Sequence, residues 1–141
     1  LRFFTVYGPW GRPDMAYFSF TNSIFNDEKI NVFNNGEMMR DFTYIDDIIN
    51  GTRSAIEKNF PCEIFNLGNS QSENLMDVIS ILEHNIGKKA RINFMPMQPG
   101  DVKSTYADIA NSINKLGFSP RIKIEEGLKN FVEWYRQYCI Q

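Results

Sequence analysis

Apolar residues occur along this chain in two spacings, short continuous runs and stripes at helical intervals, and the two alternate. Leu1–Tyr7 (LRFFTVY) is a nearly continuous apolar run, which predicts a strand buried on both faces as in a parallel sheet. Paired glycines and prolines in Gly8–Pro13 (GPWGRP) then turn the chain out of the sheet as a loop. From Met15 to about Phe25 the placement of Phe18, Ile24 and Phe25 suits a helix. Ile30–Phe33 predicts a short strand, and Asn34-Asn35-Gly36 a tight reversal, since these residues tolerate φ > 0. Thr43 and Asp46 form a candidate capping box. It opens a helix whose apolar face is Ile45, Ile48, Ile49, Thr52, Ala55 and Ile56, ended at Phe60-Pro61. Glu63–Leu67 predicts the next strand, closed by Gly68. Asn74 caps a second helix with a stripe of Leu75, Val78, Ile79, Leu82 and Ile86, stopped by Gly87. Arg91–Met95 predicts a strand and Pro96–Asp101 an irregular loop. Asp108 caps a short helix through Ile109, Ile113 and Leu116, stopped by Gly117. A last helix from about Glu125 buries Leu128, Phe131, Val132 and Tyr135, with Glu125 and Glu126 against its N-terminal dipole.

Strands alternating with helices predict an α/β fold. No internal repeat, low-complexity stretch or long linker divides the chain. Its 141 residues, 43% hydrophobic and 14% aromatic, suffice for one core, so one domain or one large part of a domain is expected. The net charge of −2 offers no basic excess for a nucleic-acid backbone. No apolar run approaches the roughly 18 residues of a membrane span. Cys62 and Cys139 lie far apart without CxxC spacing and read as free thiols of a cytosolic protein. The chain opens on an apolar run at Leu1 rather than on a methionine, which predicts a fragment whose first strand belongs to a sheet begun upstream.

Familiar catalytic patterns are missing from the sequence. The nine glycines form neither GxGxxG nor a P-loop, and in Gly8-Pro9-Trp10-Gly11 a proline stands where a phosphate cradle needs an amide. No tyrosine is followed four residues later by lysine. The single histidine, His84, reads as a solvated helix residue, and no His, Cys and carboxylate cluster has metal spacing. The expectation is that this chain holds no catalytic residue.

Three polar segments interrupt the apolar pattern. Thr5 in a buried strand and Arg12 beyond the turn, followed by Asp14, could converge on one anion, since a planar guanidinium fork matches a carboxylate or phosphate. The alternative is a satisfied strand threonine and a solvated arginine. Arg40, flanked by Met39 and Phe42, is placed for a partly desolvated bond to a diphosphate, with Phe33 as flat surface for a base. The alternative there is an Arg40–Asp41 surface pair in a hairpin. Gln98-Pro99-Gly100-Asp101 presents one amide and one carboxylate from a fixed loop, suiting Asp101 to a ribose hydroxyl, or is an ordinary turn.

Taken in order, these segments resemble a known family. Arg2 to Ala16 (RFFTVYGPWGRPDMA) is similar to the signature of UDP-glucuronate 4-epimerases in the extended short-chain dehydrogenase/reductase superfamily. Gly36 to Asp47 (GEMMRDFTYIDD) resembles that family's nucleotide-sugar segment. Met97 to Val102 (MQPGDV), with Thr105-Tyr106-Ala107-Asp108, resembles its final substrate loop. The resemblance spans essentially the whole chain; YGP and RDF motifs identify only the superfamily, and GPWGRPDMA selects the glucuronate epimerases.

The resemblance implies the C-terminal part of a Rossmann-like fold with its small substrate-binding subdomain over residues 1–141, the N-terminal NAD-binding half being absent. It implies a cytoplasmic, homodimeric enzyme when complete, using NAD to invert C4 of UDP-glucuronate through a 4-keto intermediate. The rival readings are a UDP-glucuronate decarboxylase or sugar dehydratase, and a non-catalytic nucleotide-sugar-binding fragment. Phe3 would sit near the nicotinamide, Thr5 and Arg12 near the hexuronate carboxylate, and Val32 and Phe33 beside the uracil. Arg40 would bind the diphosphate and Asp101 a ribose hydroxyl. Gln98 stands nearby, where many relatives carry an arginine.

Overall fold

The run Leu1–Tyr7 divides at Phe4, because its two halves find different partners. The computed structural model describes residues 1–140. In chain order its elements are β1 (Arg2–Phe3), β2 (Thr5–Tyr7), α1 (Ala16–Phe25), β3 (Lys29–Val32), β4 (Met39–Tyr44), α2 (Ile45–Lys58), β5 (Asn66–Leu67), β6 (Ser72–Asn74), α3 (Leu75–Ile86), β7 (Arg91–Phe94), α4 (Ala110–Leu116) and α5 (Ile124–Tyr138). The α/β expectation holds. β1 pairs in parallel with β5, β2 in parallel with β4, and β3 in parallel with β7, while β6 joins the other edge of β4 antiparallel. Burial on both faces fails for the first half of the run: Leu1 and Phe3 are about half exposed, Phe3 at 52%. Among the described residues β1 pairs with β5 alone.

Helix ends follow local chemistry. The Asn74 side chain accepts from the Met76 amide, and Gly87 and Gly117 close α3 and α4 in the left-handed conformation. Asp108 accepts from the Ala110 amide at the start of α4. Asn34 and Asn35 take positive φ in the turn after β3. The capping box of α2 does not form. The Thr43 hydroxyl donates instead to Asp41, and the helix starts at Tyr44 without a side-chain cap. Its expected apolar face is also only partly used, for Ile48 is buried while Ile49 and Ile56 are exposed. The strand expected at Glu63–Leu67 shrinks to its last two residues.

Two apolar clusters hold the layers. The larger joins α1, α3 and α5 to β2, β3 and β4 through Tyr7, Tyr17, Ile24, Val32, Leu82, Leu128 and Phe131. The smaller lies under α2, α4 and β5, around Ile48, Leu67, Ala107 and Phe118. At the rim of the larger cluster, Trp10 packs at a tilt against Trp134, 5.2 Å between ring centroids, and against Tyr138, 5.1 Å. Trp10 holds a left-handed backbone to do so, with φ 61°.

Close approach requires glycine at one helical position. A Cβ on Gly127 of α5 would lie 2.1 Å from the Tyr7 phenol oxygen, and Tyr7 is fully buried, its hydroxyl donating to the Lys123 carbonyl. Glycine to alanine inside a helix usually gains about 1 kcal/mol, whereas overpacking a tight core costs about 1–3 kcal/mol. The buried ring cannot swing into solvent, so the clash wins. Gly127→Ala is expected to lower stability by about 1–2 kcal/mol in urea unfolding; a gain would show that Tyr7 repacks freely.

Candidate functional site

A cavity of about 650 Å³ opens between α1 and the loop that follows β7. One face of α1 forms a wall, with Ala16, Ser19, Phe20 and Ser23 recurring at helical spacing. Across from it stand Thr5 of β2, Ile30 and Asn31 of β3, Phe33 in the following turn, Met38, and Arg40 and Phe42 of β4. Gln98 and Asp101 close one side from their loop, and Asp14 and Met15 another. The lining thus mixes aromatic and aliphatic surface with a few convergent polar groups, the usual character of a small-molecule site.

Arg40 is the most constrained cation of this cavity. Its Nη2 donates to Asp101 Oδ1 at 2.7 Å, and its Nη1 to the carbonyls of Met39 at 2.9 Å and Lys103 at 3.3 Å. Only 19% of the side chain is exposed. At its start β4 is flanked by β6 on one edge and on the other, ahead of β2, by the segment 103–105, where Met39 exchanges backbone bonds with Lys103 and Thr105. The guanidinium is therefore held against β4 and the segment 101–103, with further N–H donors still free of protein partners among the described residues. Asp101 Oδ1 also accepts from the Val102 amide, while Oδ2 keeps its accepting capacity. Thr5 and Gln98 bring a hydroxyl and an amide with no hydrogen bond among the described residues.

The expected Arg40–Asp41 surface pair is corrected. β4 lies between two strands rather than in a hairpin, and Asp41 points to the opposite face, where it is fully buried. There its carboxylate accepts from the Asn69 amide at 2.7 Å, the Ala107 amide at 3.0 Å and the Thr43 hydroxyl at 3.3 Å. Its own amide donates to Thr105 Oγ1. One acid so fastens β4, the turn after β5, and the segment that leads away from Asp101. Gly68 leaves room for this, since a Cβ there would sit 2.2 Å from that of Ala107.

Other assignments move as well. The Val32 side chain is wholly buried in the larger cluster, so it offers the cavity no surface; its carbonyl accepts from Met95. Phe33 does line the cavity. Arg12 does not: its Nε and Nη2 clasp both oxygens of Asp14, at 3.0 and 2.6 Å, and it is Asp14 that faces the cavity. Each holds the other charged, the bond to Arg12 keeping the Asp14 carboxyl below its ordinary pKa. Phe3 lies outside this cavity, on exposed β1. Lys29, Asn31, Ser19 and Ser23 line it and were not singled out from the sequence. The serines were within reach of a helical-wheel reading, being polar positions on the face that also carries Phe20.

Among the tyrosines of the core, burial pushes the Tyr7 phenol far up and Tyr17 up to about 12, and it raises Tyr44 too. These phenols stay protonated at neutral pH, which suits packing rather than proton abstraction. His84 is exposed on α3, and Cys62 and Cys139 are exposed and unpaired. No group of three potential metal ligands, and no helix long and apolar enough to cross a membrane, occurs among the described residues.

The sequence model of the family described as NAD dependent epimerase/dehydratase matches residues 1–68. An uncharacterized protein of Methanocaldococcus jannaschii is 54% identical over 135 residues, covering 96% of this chain and 41% of that protein. UDP-glucuronate 4-epimerase 1 of Arabidopsis thaliana is 43% identical over 155 residues, covering 98% of this chain and 36% of its own length. Among solved structures, the UDP-glucuronic acid 4-epimerase of Bacillus cereus, in complex with UDP-glucuronic acid and NAD, matches with a TM-score of 0.91. That match has 39% identity and covers 96% of this chain and 44% of the other. The chain spans less than half the length of the relatives it matches.

Proposed function

We propose that this chain is the C-terminal, substrate-side portion of a member of the NAD dependent epimerase/dehydratase family, in an enzyme inverting C4 of UDP-glucuronate; the family match over residues 1–68 and the likeness to UDP-glucuronate 4-epimerases support this. The observation that carries the proposal is the meeting of Thr5, Phe33, Arg40, Gln98 and Asp101 in one cavity, although they come from distant stretches of sequence. In the proposed arrangement Arg40 takes the diphosphate with its free donors. Asp101 accepts from a ribose hydroxyl through Oδ2, and Phe33 lies against the base. Thr5, with Arg12 swung toward it, holds the hexuronate carboxylate.

Residues 1–141 make up the substrate-binding portion, and a preceding NAD-binding half supplies the rest. Phe3 fits that partner, because its ring is exposed on β1 where a flat heteroaromatic ring has surface to cover. NAD, when bound, accepts a hydride and returns it. The work of this chain is orientation: it fixes the nucleotide end at Arg40 and Asp101, so that the sugar ring alone turns over between the two hydride transfers. A C4 ketone beside a C5 carboxylate loses CO₂ readily, so Thr5 and Arg12 also guard the carboxylate. Family resemblance alone supports a cytoplasmic homodimer.

The test is a product assay with the full-length protein, NAD and UDP-glucuronate. UDP-galacturonate is the expected product. Release of CO₂ with a UDP-pentose would make the enzyme a decarboxylase, and binding without turnover would leave a nucleotide-sugar-binding protein. Arg12→Ala is expected to raise the decarboxylated share severalfold; an unchanged ratio removes Arg12 from the carboxylate.

A further inference from the structure

The two guanidiniums assigned to the ligand differ in how firmly a carboxylate of the protein already occupies them. Arg40 and Asp101 are partly buried and pinned by further bonds, to the Met39 and Lys103 carbonyls and from the Val102 amide. Among the described residues the Arg12 and Asp14 side chains have only each other, 74% and 68% exposed. Exposed pairs of this kind are weak and break readily. Yet the geometry is bidentate, and it uses Nε and Nη2, one edge of the guanidinium that a ligand carboxylate would grip.

The loop keeps the two partners together. Gly11 is fixed by its neighbour, since a Cβ there would fall 1.7 Å from the Tyr17 hydroxyl oxygen. Pro13 stands between Arg12 and Asp14, and the Met15 amide donates to the Arg12 carbonyl at 3.1 Å. Asp14 therefore sits at a high effective concentration beside Arg12, and the charge this rim turns toward the cavity is negative.

We infer that Asp14 is a built-in competitor for Arg12, so that a ligand carboxylate binds by displacing it; this rests on the hexuronate reading of the same cavity. A free small carboxylate meets an intramolecular rival and loses. A hexuronate already anchored through its nucleotide at Arg40 enjoys a comparable effective concentration and wins the fork. Asp14, released, stands beside the incoming carboxylate and repels it. Asp14 is then a specificity-determining residue: it penalises weakly anchored anions and leaves neutral sugars untouched.

The experiment titrates the full-length, NAD-loaded protein with UDP-glucuronate, UDP-glucose and UDP, comparing wild type, Asp14→Asn and Arg12→Ala. Asparagine keeps the shape and can still accept one bond from Arg12, but lacks the charge. Asp14→Asn is expected to tighten UDP-glucuronate about threefold to tenfold, with UDP and UDP-glucose within twofold of wild type, which also reports an intact fold. UDP-glucuronate binding that is unchanged or weaker in Asp14→Asn overturns the competitor role and leaves Asp14 as a positioner of Arg12. If Arg12→Ala weakens UDP-glucuronate no more than UDP, the carboxylate site itself falls, and the competitor with it.

Discussion

Asp41→Ala should be the most damaging single change to the fold, lowering unfolding free energy by about 3–5 kcal/mol. The substitution removes a fully buried acceptor and strands the Asn69 and Ala107 amides, with the Thr43 hydroxyl. Each buried donor left without a partner costs about 1–3 kcal/mol, more than the net worth of the bond it made. Water cannot easily repair the loss, because Asp41 and its partner Ala107 are both without solvent exposure. In a protein of this size the fall in melting temperature should be roughly 10–15 °C. Asp41→Asn should recover part of it, since one amide oxygen can still accept. Thermal unfolding of both variants checks the idea, and a shift under 3 °C for Asp41→Ala, against the roughly 10 °C expected, would sink it.

For ligand binding the largest loss is expected from Arg40→Ala, about a hundredfold weaker binding of UDP, or nearly 3 kcal/mol. Two effects add. Charge-assisted bonds to the diphosphate disappear, and Asp101, only a third exposed, is left facing the cavity with its negative charge unanswered. Arg40→Lys restores the charge without the planar fork and should regain no more than part of the affinity. Calorimetric titration with UDP measures all three proteins; a loss below threefold would mean that the diphosphate lies elsewhere.

Which parts could be foreseen depended on the range of the interaction. Asn74, Gly87 and Gly117 act on amides and carbonyls within a turn of themselves, and the sequence reveals them. β6 escaped notice because Ser72-Glu73-Asn74 has no apolar alternation; it is a strand only because β4 lies alongside. The spacing of Thr43 to Asp46 predicts a helix cap, but the nearer carboxylate of Asp41 takes the hydroxyl. Ile49 and Ile56 fit the helical stripe of α2 yet remain exposed, since periodicity locates a face without saying what covers it.

The cavity was legible to the same degree. Thr5, Phe33, Arg40, Gln98 and Asp101 carry chemistry beyond the needs of their local structure, and they line one space. Pairing among them was not legible. That Arg40 would hold Asp101, Arg12 hold Asp14, and Asp41 turn inward depends on which strands flank β4, a long-range property.

The left-handed turn that lays Trp10 across Trp134 gives the protein an optical gauge of its own. These are its only tryptophans, and one rides on the segment that carries Arg12 while the other is anchored in α5. Any shift of that segment changes the overlap of the two indoles, so near-ultraviolet circular dichroism and indole emission follow the rim of the cavity without an added label.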